Sequence, residues 1–447
     1  RDILQQVEDA WALVILWSAR EPHRVGEVAL LTSDGAEWVL GRSPGDPALS
    51  ADGHAAPGGE RPLSFFRQRP PGLLDGSNPD EGSHFLLGEG ISRRQLLLLP
   101  TAAGLSLRNI GRCPLLINGQ PMTTGLAPPG ATIQLQNQLL LYCTRRPSVM
   151  PQIEYYPPRC VRRFGEADSF GIVGESPAAW LLRDRLAVLA QGTANVLIIG
   201  ESGSGKEMAA QTIHGLSHRS TRPLVSTNIA AIAPGLAAVQ LFGNRRGFPE
   251  SKMPESKGLV GAADGSTLFL DEVGDMPIEV QPMFLRVTDE GREYQRLGEE
   301  DKPPRSSDFR LIGATNRPEQ MRIELGRRFP RSVKVPTLQE RREDIPLLLM
   351  HLLREYKRKG DSEVERFFIA GQPQLHPAFV ECLIHHPYKT HVAEIGTLLG
   401  QAMAHSRGRS IDPPASWFAP RERGPEVERG REREVGAQPS LPSTPAS

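Results

Sequence analysis

The sequence predicts a multi-domain chain: an all-β sandwich, followed by an α/β phosphate-loop unit closed by a helical lid. Three observations carry this expectation. Short apolar or alternating runs separated by turn residues recur up to residue 147, which is the pattern of many short strands. From about residue 171 apolar strands alternate with helical stretches, as a parallel sheet requires. From Arg342 to His405 apolar residues fall at helical spacing, as in Ile345, Leu348, Leu349, Leu352 and Leu353.

Composition bounds what the chain can be. Its 447 residues suit two to four domains at about 100–200 residues each. Lys+Arg and Asp+Glu are both 52, so nothing supports a chain-wide surface for nucleic acid or anionic membrane. Hydrophobic residues at 39% are enough for buried cores, while 44 Gly and 40 Pro point to long loops. The apolar run Trp11–Trp17 is far shorter than the roughly 20 residues of a membrane helix. No membrane partner and no export signal are therefore expected. The four cysteines (113, 143, 160 and 382) have no paired spacing, so neither a disulfide framework nor a zinc site is expected and a cytoplasmic location fits.

In chain order, residues 1–147 form the predicted sandwich. Its strand candidates are Trp11–Trp17, Val28–Leu31, Glu37–Leu40, Gln95–Leu99, Leu105–Leu107, Leu115–Ile117, Thr132–Leu135 and Leu139–Tyr142. The Pro/Gly/Asp/Ser-rich stretch 44–83 reads as a long inserted loop. Residues 148–170, with Pro151, Pro157 and Pro158, read as a linker. The α/β core is expected over 171–340 and the lid over 341–406. Residues 407–447, rich in Pro, Arg, Glu and Ser, read as a disordered tail.

The central unit carries the chemistry. Gly200-Glu201-Ser202-Gly203-Ser204-Gly205-Lys206 has the phosphate-loop spacing, between a strand (Val196–Ile199) and a helix. Glycines there let backbone N–H groups curl around phosphate oxygens, and Lys206 reaches the β and γ phosphates. Glu207 stands where Ser or Thr usually supplies a magnesium ligand. The run Leu268-Phe269-Leu270-Asp271-Glu272 delivers two carboxylates to a strand end. Asp271 is expected to hold magnesium, and Glu272 to orient water as general base. Asn316, after Leu311–Thr315, is a weaker candidate for a place beside the γ-phosphate. ATP and magnesium are the expected ligands.

These stretches, with Gly171–Ser176, Leu241-Phe242-Gly243, Asp264–Pro277, Ala314–Arg317 and Glu340–Leu348, resemble the AAA+ domain of bacterial sigma-54-dependent transcriptional activators. That family also carries Glu after the loop Lys. The resemblance implies ATP hydrolysis to ADP and phosphate between subunits of a ring, usually a hexamer. It places Arg322 and Arg328 at the arginine-finger positions, with Arg327 a close competitor, and Asn228 where a residue restrains the catalytic Glu.

Three departures qualify it. The family's sigma-contacting loop Gly-Ala-Phe-Thr-Gly-Ala becomes Gly247-Phe248-Pro249-Glu250-Ser251-Lys252. A carboxylate at the Thr position predicts little or no sigma-54 binding. Ala393 stands where a nucleotide-sensing Arg is expected in the lid. The tail has no helix-turn-helix pattern, so direct DNA contact is not expected of this chain as given.

In the first unit, Gly41-Arg42-Ser43, Gly90–Gln95 and Asn118-Gly119 resemble the signposts of a forkhead-associated (FHA) domain, a β-sandwich whose loops bind phosphothreonine. Arg42 and Ser92 match the phosphate-gripping positions, and Arg93 adds charge. The family's His is Gln95 here, and the Asn that meets the peptide falls near Cys113-Pro114 and is missing. The expected partners are thus a second copy of the chain and a phosphothreonine-containing protein. The leading expectation is a signal-responsive ATPase that regulates transcription. Its alternatives are a non-hydrolysing phospho-dependent scaffold and an ATPase acting on another client.

Overall fold

A computed structural model describes residues 9–42, 60–73, 84–289 and 291–417. Most of the stretch 44–83 and the tail beyond 417 lie outside these residues. Two antiparallel strands dominate the first unit: β1 (Asp9–Ser18) pairs along its length with the last strand, with Leu13 opposite Cys143. The others are β2 (Val28–Leu31), β3 (Trp38–Leu40), β4 (Arg61–Pro62), β5 (Leu96–Pro100), β6 (Leu105–Asn109), β7 (Leu115–Ile117), β8 (Gln120–Met122), β9 (Thr124–Ala127), β10 (Thr132–Leu135) and β11 (Leu139–Pro147). One sheet runs β2-β1-β11-β10-β7-β8 and the other β4-β3-β5-β6-β9. Trp11, Leu13 and Ile15 face a core shared with Leu98, Leu107 and Leu141 between the sheets.

The apolar run of β1 is unbroken rather than alternating because both of its faces are buried. Its other face, Ala12, Val14 and Leu16, joins Leu140 and Tyr142 of β11 in a second cluster. That cluster is completed by Leu347, Leu348, Phe379 and Val380 from the C-terminal helices. The sandwich is therefore packed on the lid.

The central unit is a five-stranded parallel sheet. Its strands are β12 (Val196–Ile199), β13 (Val225–Asn228), β14 (Thr267–Asp271) and, beyond the two-residue hairpin strands β15 (Glu293–Tyr294) and β16 (Arg305–Ser306), β17 (Arg310–Thr315) and β18 (Arg331–Lys334). The order is β13-β14-β17-β12-β18, which puts the end of β12 where the connections diverge. Helices α1 (Pro177–Gln191) and α2 (Lys206–Gly215) cover one face. The other is covered by α3 (Ala237–Phe242), α4 (Gly258–Ala262), α5 (Gln281–Val287) and α6 (Ile323–Gly326). Ser176 caps α1, its hydroxyl accepting from Ala179 N. The lid comprises α7 (Ile345–Arg358), α8 (Ser362–Glu365), α9 (Pro377–His385) and α10 (His391–His405).

The stretch expected to be a linker is built into the body. Met150 packs with Trp180 and Leu73, and the Tyr156 hydroxyl donates to Asp168, which also pairs with Arg183 at 2.9 Å. The expected tail is likewise ordered at its start. Ile411 is fully buried and bridges Leu375, and Trp417 stacks on Phe379 at 6.0 Å. Aromatic and β-branched residues inside a polar, Pro-rich stretch explain the difference: each found an apolar surface to cover.

A buried polar clasp ties the units together. Arg146, at the end of β11, pairs with Glu343 at 3.2 Å and donates to the Glu175 carbonyl. Arg69 grips Glu175 through both oxygens, at 2.5 and 3.1 Å. Asp344 accepts from the Glu175 and Ser176 amides and the Ser176 hydroxyl. Burial pushes both the Glu343 and Asp344 carboxyls upward against these donors. Removing Arg146 alone would strand Glu343 in the interior, at about 3–5 kcal/mol. Among the described residues no helix is long and apolar enough to cross a membrane.

Candidate nucleotide site

The phosphate loop joins β12 to α2, as the strand–loop–helix pattern demands. A cavity of about 340 Å³ opens over it. Its walls are the loop itself, Ile172 and Val173, Asp271, Val335, Arg341 and, from the lid, Val392 and Ala393. Lys206 is buried. Its Nζ donates to Gly200 O at 3.0 Å and Glu201 O at 3.4 Å, and lies 3.5 Å from Glu272 Oε1. The cation is thus held in place by neutral carbonyls and one carboxylate at its longest reach.

Two further strand ends complete the rim. At the end of β14, Asp271 Oδ2 accepts from the Asn228 side-chain amide at 3.3 Å, and Asp271 Oδ1 from Glu272 N at 3.1 Å. Glu272 has φ +49°, a left-handed turn that swings its carboxylate back across the rim. At the end of β17, Asn316 N reaches Glu272 Oε2 at 3.4 Å, while its side-chain amide donates to Ser202 Oγ at 3.2 Å. Lys206, Asp271, Glu272, Asn316 and Asn228 are therefore brought together. The expectation that Asn228 restrains Glu272 needs correction: its amide meets the neighbouring Asp271. Parallel pairing of β13 with β14 sets Asn228 opposite Asp271, which explains the shorter reach.

Gly200 to Gly205 form the loop and Glu207 lies on its exposed shoulder, within 3.4 Å of the Gln211 amide. The Ser204 hydroxyl is buried with no partner, a donor free to meet a phosphate oxygen. Arg322 and Arg327 are exposed, and Arg328 pairs with Asp289 at 2.6 Å. None of the three lines the cavity of its own chain.

Two participants were not foreseen. His391, at φ +47° and fully buried, opens α10. Its Nε2 is 2.8 Å from Glu201 Oε2 and its Nδ1 accepts from Leu338 N at 3.4 Å. Val392 N donates to Gly203 O at 3.1 Å, and a Cβ on Gly203 would collide with the Thr390 carbonyl. Only glycine lets the lid approach the phosphate loop this closely. Arg341, buried beside the cavity, donates to Val173 O at 3.1 Å, and burial lowers its pKa. The cluster Glu340-Arg341-Arg342-Glu343-Asp344 was visible in the sequence, but nothing local said which Arg turned inward.

The sandwich holds the second group of residues singled out by the sequence. Arg42 N donates to Ser92 O at 3.0 Å, so the two loops touch through backbone. Ser92 Oγ accepts from Arg112 N at 3.0 Å, and Ser92 N donates to Gln95 Oε1 at 3.0 Å. Fully buried Gln95 donates to Asn109 Oδ1 at 2.7 Å and Cys113 O at 2.9 Å, fixing both loops from beneath. Asn109 spends its own amide on Cys113 O at 2.9 Å. The guanidinium groups of Arg42 and exposed Arg93 have no hydrogen bond or ion pair among the described residues.

Set beside known proteins, residues 172–331 match the Sigma-54 interaction domain. The matched residues lie within the central unit. The transcriptional regulatory protein ZraR of Escherichia coli K12 is 37% identical over 254 residues, which is 55% of each chain. The formate hydrogenlyase transcriptional activator FhlA of the same organism is 43% identical over 195 residues, 41% of this chain and 27% of that one. Among solved structures, NtrX from Brucella abortus is 28% identical with a TM-score of 0.48, over 56% of each chain. The chain spans about half the length of ZraR. The phosphate loop, both strand-end carboxylates and Asn316 all fall inside the matched residues.

Proposed function

We propose that this chain is an ATP-hydrolysing transcriptional regulator of the sigma-54 activator type, controlled by a phosphothreonine-reading FHA-type sandwich, and acting in the cytoplasm. The convergence of three strand ends carries the reading: Lys206 follows β12, Asp271 and Glu272 follow β14, and Asn316 follows β17. Lys206 and the loop amides suit the phosphates, and Glu272 suits the general base. Among the described residues Asp271 meets amides and no cation, so its oxygens fit a hard divalent ion such as magnesium, which would neutralise phosphate charge there. Arg322 and Arg328 would serve the neighbouring subunit of a ring, Arg328 after leaving Asp289.

Steady-state ATPase activity should rise more steeply than linearly with protein concentration as rings form. Glu272→Gln should bind ATP with little change while losing about 10²-fold or more in turnover. Undiminished turnover in that variant removes Glu272 from the base role.

One observation favours a second reading, nucleotide binding without turnover. The lid presents the methyl group of Ala393 to Gly203 and brings no guanidinium there. A flat ATPase rate at all concentrations, with ATP still bound, selects it.

The client remains a separate question. The loop around Glu250 is closed by Gly247 N to Met253 O at 2.8 Å and by the Asn244 amide, which donates to Arg245, Phe248 and Pro254 carbonyls. Glu250 is exposed. A carboxylate that must shed water at a transient contact costs several kcal/mol, roughly. The chain should retain little sigma-54 in a pull-down with a transition-state analogue of ATP. Strong retention would make sigma-54 its client.

A further inference from the structure

A second cavity, of about 320 Å³, lies where the sandwich, the 148–170 stretch and the lid meet, away from the phosphate loop. Its charged lining is lopsided. His23 follows β1, Arg67 comes from the strand-like segment after β4, Arg163 from the connecting stretch, and Arg354 from α7. Among the described residues Glu166 is the one carboxylate that lines it. The remaining wall is mostly apolar, with Val25, Phe164, Leu347 and Met350, and includes Gln372, whose buried side-chain oxygen has no hydrogen-bond partner among the described residues.

The cations are underused. Arg163 and Arg354 are exposed, and neither guanidinium has a hydrogen bond or ion pair among the described residues. The nearby carboxylate Glu355 is already taken by Arg358 at 2.6 Å. Arg67 is mostly buried, its Nε has no hydrogen-bond partner, and its closest carboxylate is Glu27 at 3.5 Å. Glu27 in turn is engaged by Arg24 at 2.7 Å. The Phe164 ring lies between Arg67 and Arg69, with their guanidinium carbons 5.5 and 5.4 Å from its centre. It holds Arg67 in the cavity wall.

Like charges gathered from three separate segments repel one another, and packing that brings them together makes sense when an anion joins them. Planar guanidinium forks suit phosphate oxygens, and the volume sits at the low end of small-molecule sites, about 300–1,000 Å³. We propose that this junctional cavity binds a small phosphorylated molecule, gripped by Arg163 and Arg354 above Arg67, with its carbon body on Leu347 and Met350. Occupancy would cross-link sandwich to lid.

Isothermal titration of the full chain with inorganic pyrophosphate tests this, with citrate as a carboxylate arm. Three proteins are compared: wild type, the Arg163→Gln/Arg354→Gln pair, and Lys206→Ala, which disables the phosphate loop. The two exposed, unpaired arginines can be replaced without loss of a fold contact. Wild type should bind pyrophosphate at two sites, the phosphate loop and the junctional cavity; Lys206→Ala should keep the junctional site, and the arginine pair should lose that site by at least about 10-fold in affinity. Loss of binding in Lys206→Ala with retention in the arginine pair would place the anion on the phosphate loop and overturn the proposal. Absence of binding to wild type would also overturn it. Tighter binding of citrate than of pyrophosphate would overturn the phosphate assignment.

Discussion

Two of the candidate phosphate sites, the phosphate loop and the sandwich rim, are built in opposite ways. In the phosphate loop the cation is already in place: Lys206 is only 6% exposed and tied to two carbonyls and Glu272. At the sandwich rim the backbone is what is fixed, by Gln95 and Ser92, while the Arg42 and Arg93 guanidiniums have no partner among the described residues. A preorganised cation loses little freedom on binding. A loose one must be ordered when the ligand arrives, at about 0.5–1.5 kcal/mol per side chain. On the proposed reading, the loop would take a ligand that binds at every cycle, and the rim one that binds only when modified.

The comparison can be broken most decisively at Lys206. Lys206→Ala should weaken ATP binding by about 10²-fold or more, measured by fluorescent-nucleotide titration, because Lys206 is the cation that the phosphate loop itself brings to the cavity. Unchanged affinity would mean the loop binds no phosphate. The rim should give a smaller loss. Arg42→Ala with Ser92→Ala should reduce phosphothreonine-peptide affinity by about 10-fold or more in fluorescence anisotropy, leaving ATPase activity of the full chain near wild type. Equal affinity of the unmutated chain for phosphorylated and unphosphorylated peptide would remove the phospho-reading role.

The smallest effect sharpens the contrast at the lid. Burial opposes charge on Glu394, but donors outweigh it: Thr390 N, the His386 ring and Lys389 N hold the carboxyl at about 2, below its ordinary 4.5. A depressed acid contributes stability above its unfolded value and loses it as pH falls through the folded one. The connection between α9 and α10 should therefore loosen between pH about 4.5 and about 2. Glu394→Gln should cost about 1–2 kcal/mol at pH 7 and flatten that dependence, read by hydrogen exchange of the α10 amides. An unaltered acid profile in the variant would assign the loosening to other groups.

What the sequence disclosed follows from the range of each signal. The phosphate loop is one contiguous motif, and β14 and β17 end in carboxylate and amide, so strand alternation alone brought Lys206, Asp271 and Asn316 to one rim. Contacts set by long-range packing were not legible. His391 meets Glu201 across 190 positions, and nothing near either residue announces it. Asn228 was assigned one carboxylate too far because register, which sets it opposite Asp271, appears only once β13 and β14 pair. The run Trp11–Trp17 was read as a strand, yet its lack of alternation already implied two buried faces, and the lid is the second.

That doubly covered strand has a practical consequence for dissection. Cutting the chain at residue 147 would follow the sequence boundary but would split one hydrophobic core. Leu347, Leu348, Phe379 and Val380 would lose Val14, Leu16 and Tyr142. Trp17 would leave the Leu375 carbonyl it meets at 2.7 Å. The C-terminal fragment would present a raw apolar patch beside an unpaired Glu343. Its self-association would come from the wound, and sedimentation of the fragment could be mistaken for the proposed ring assembly.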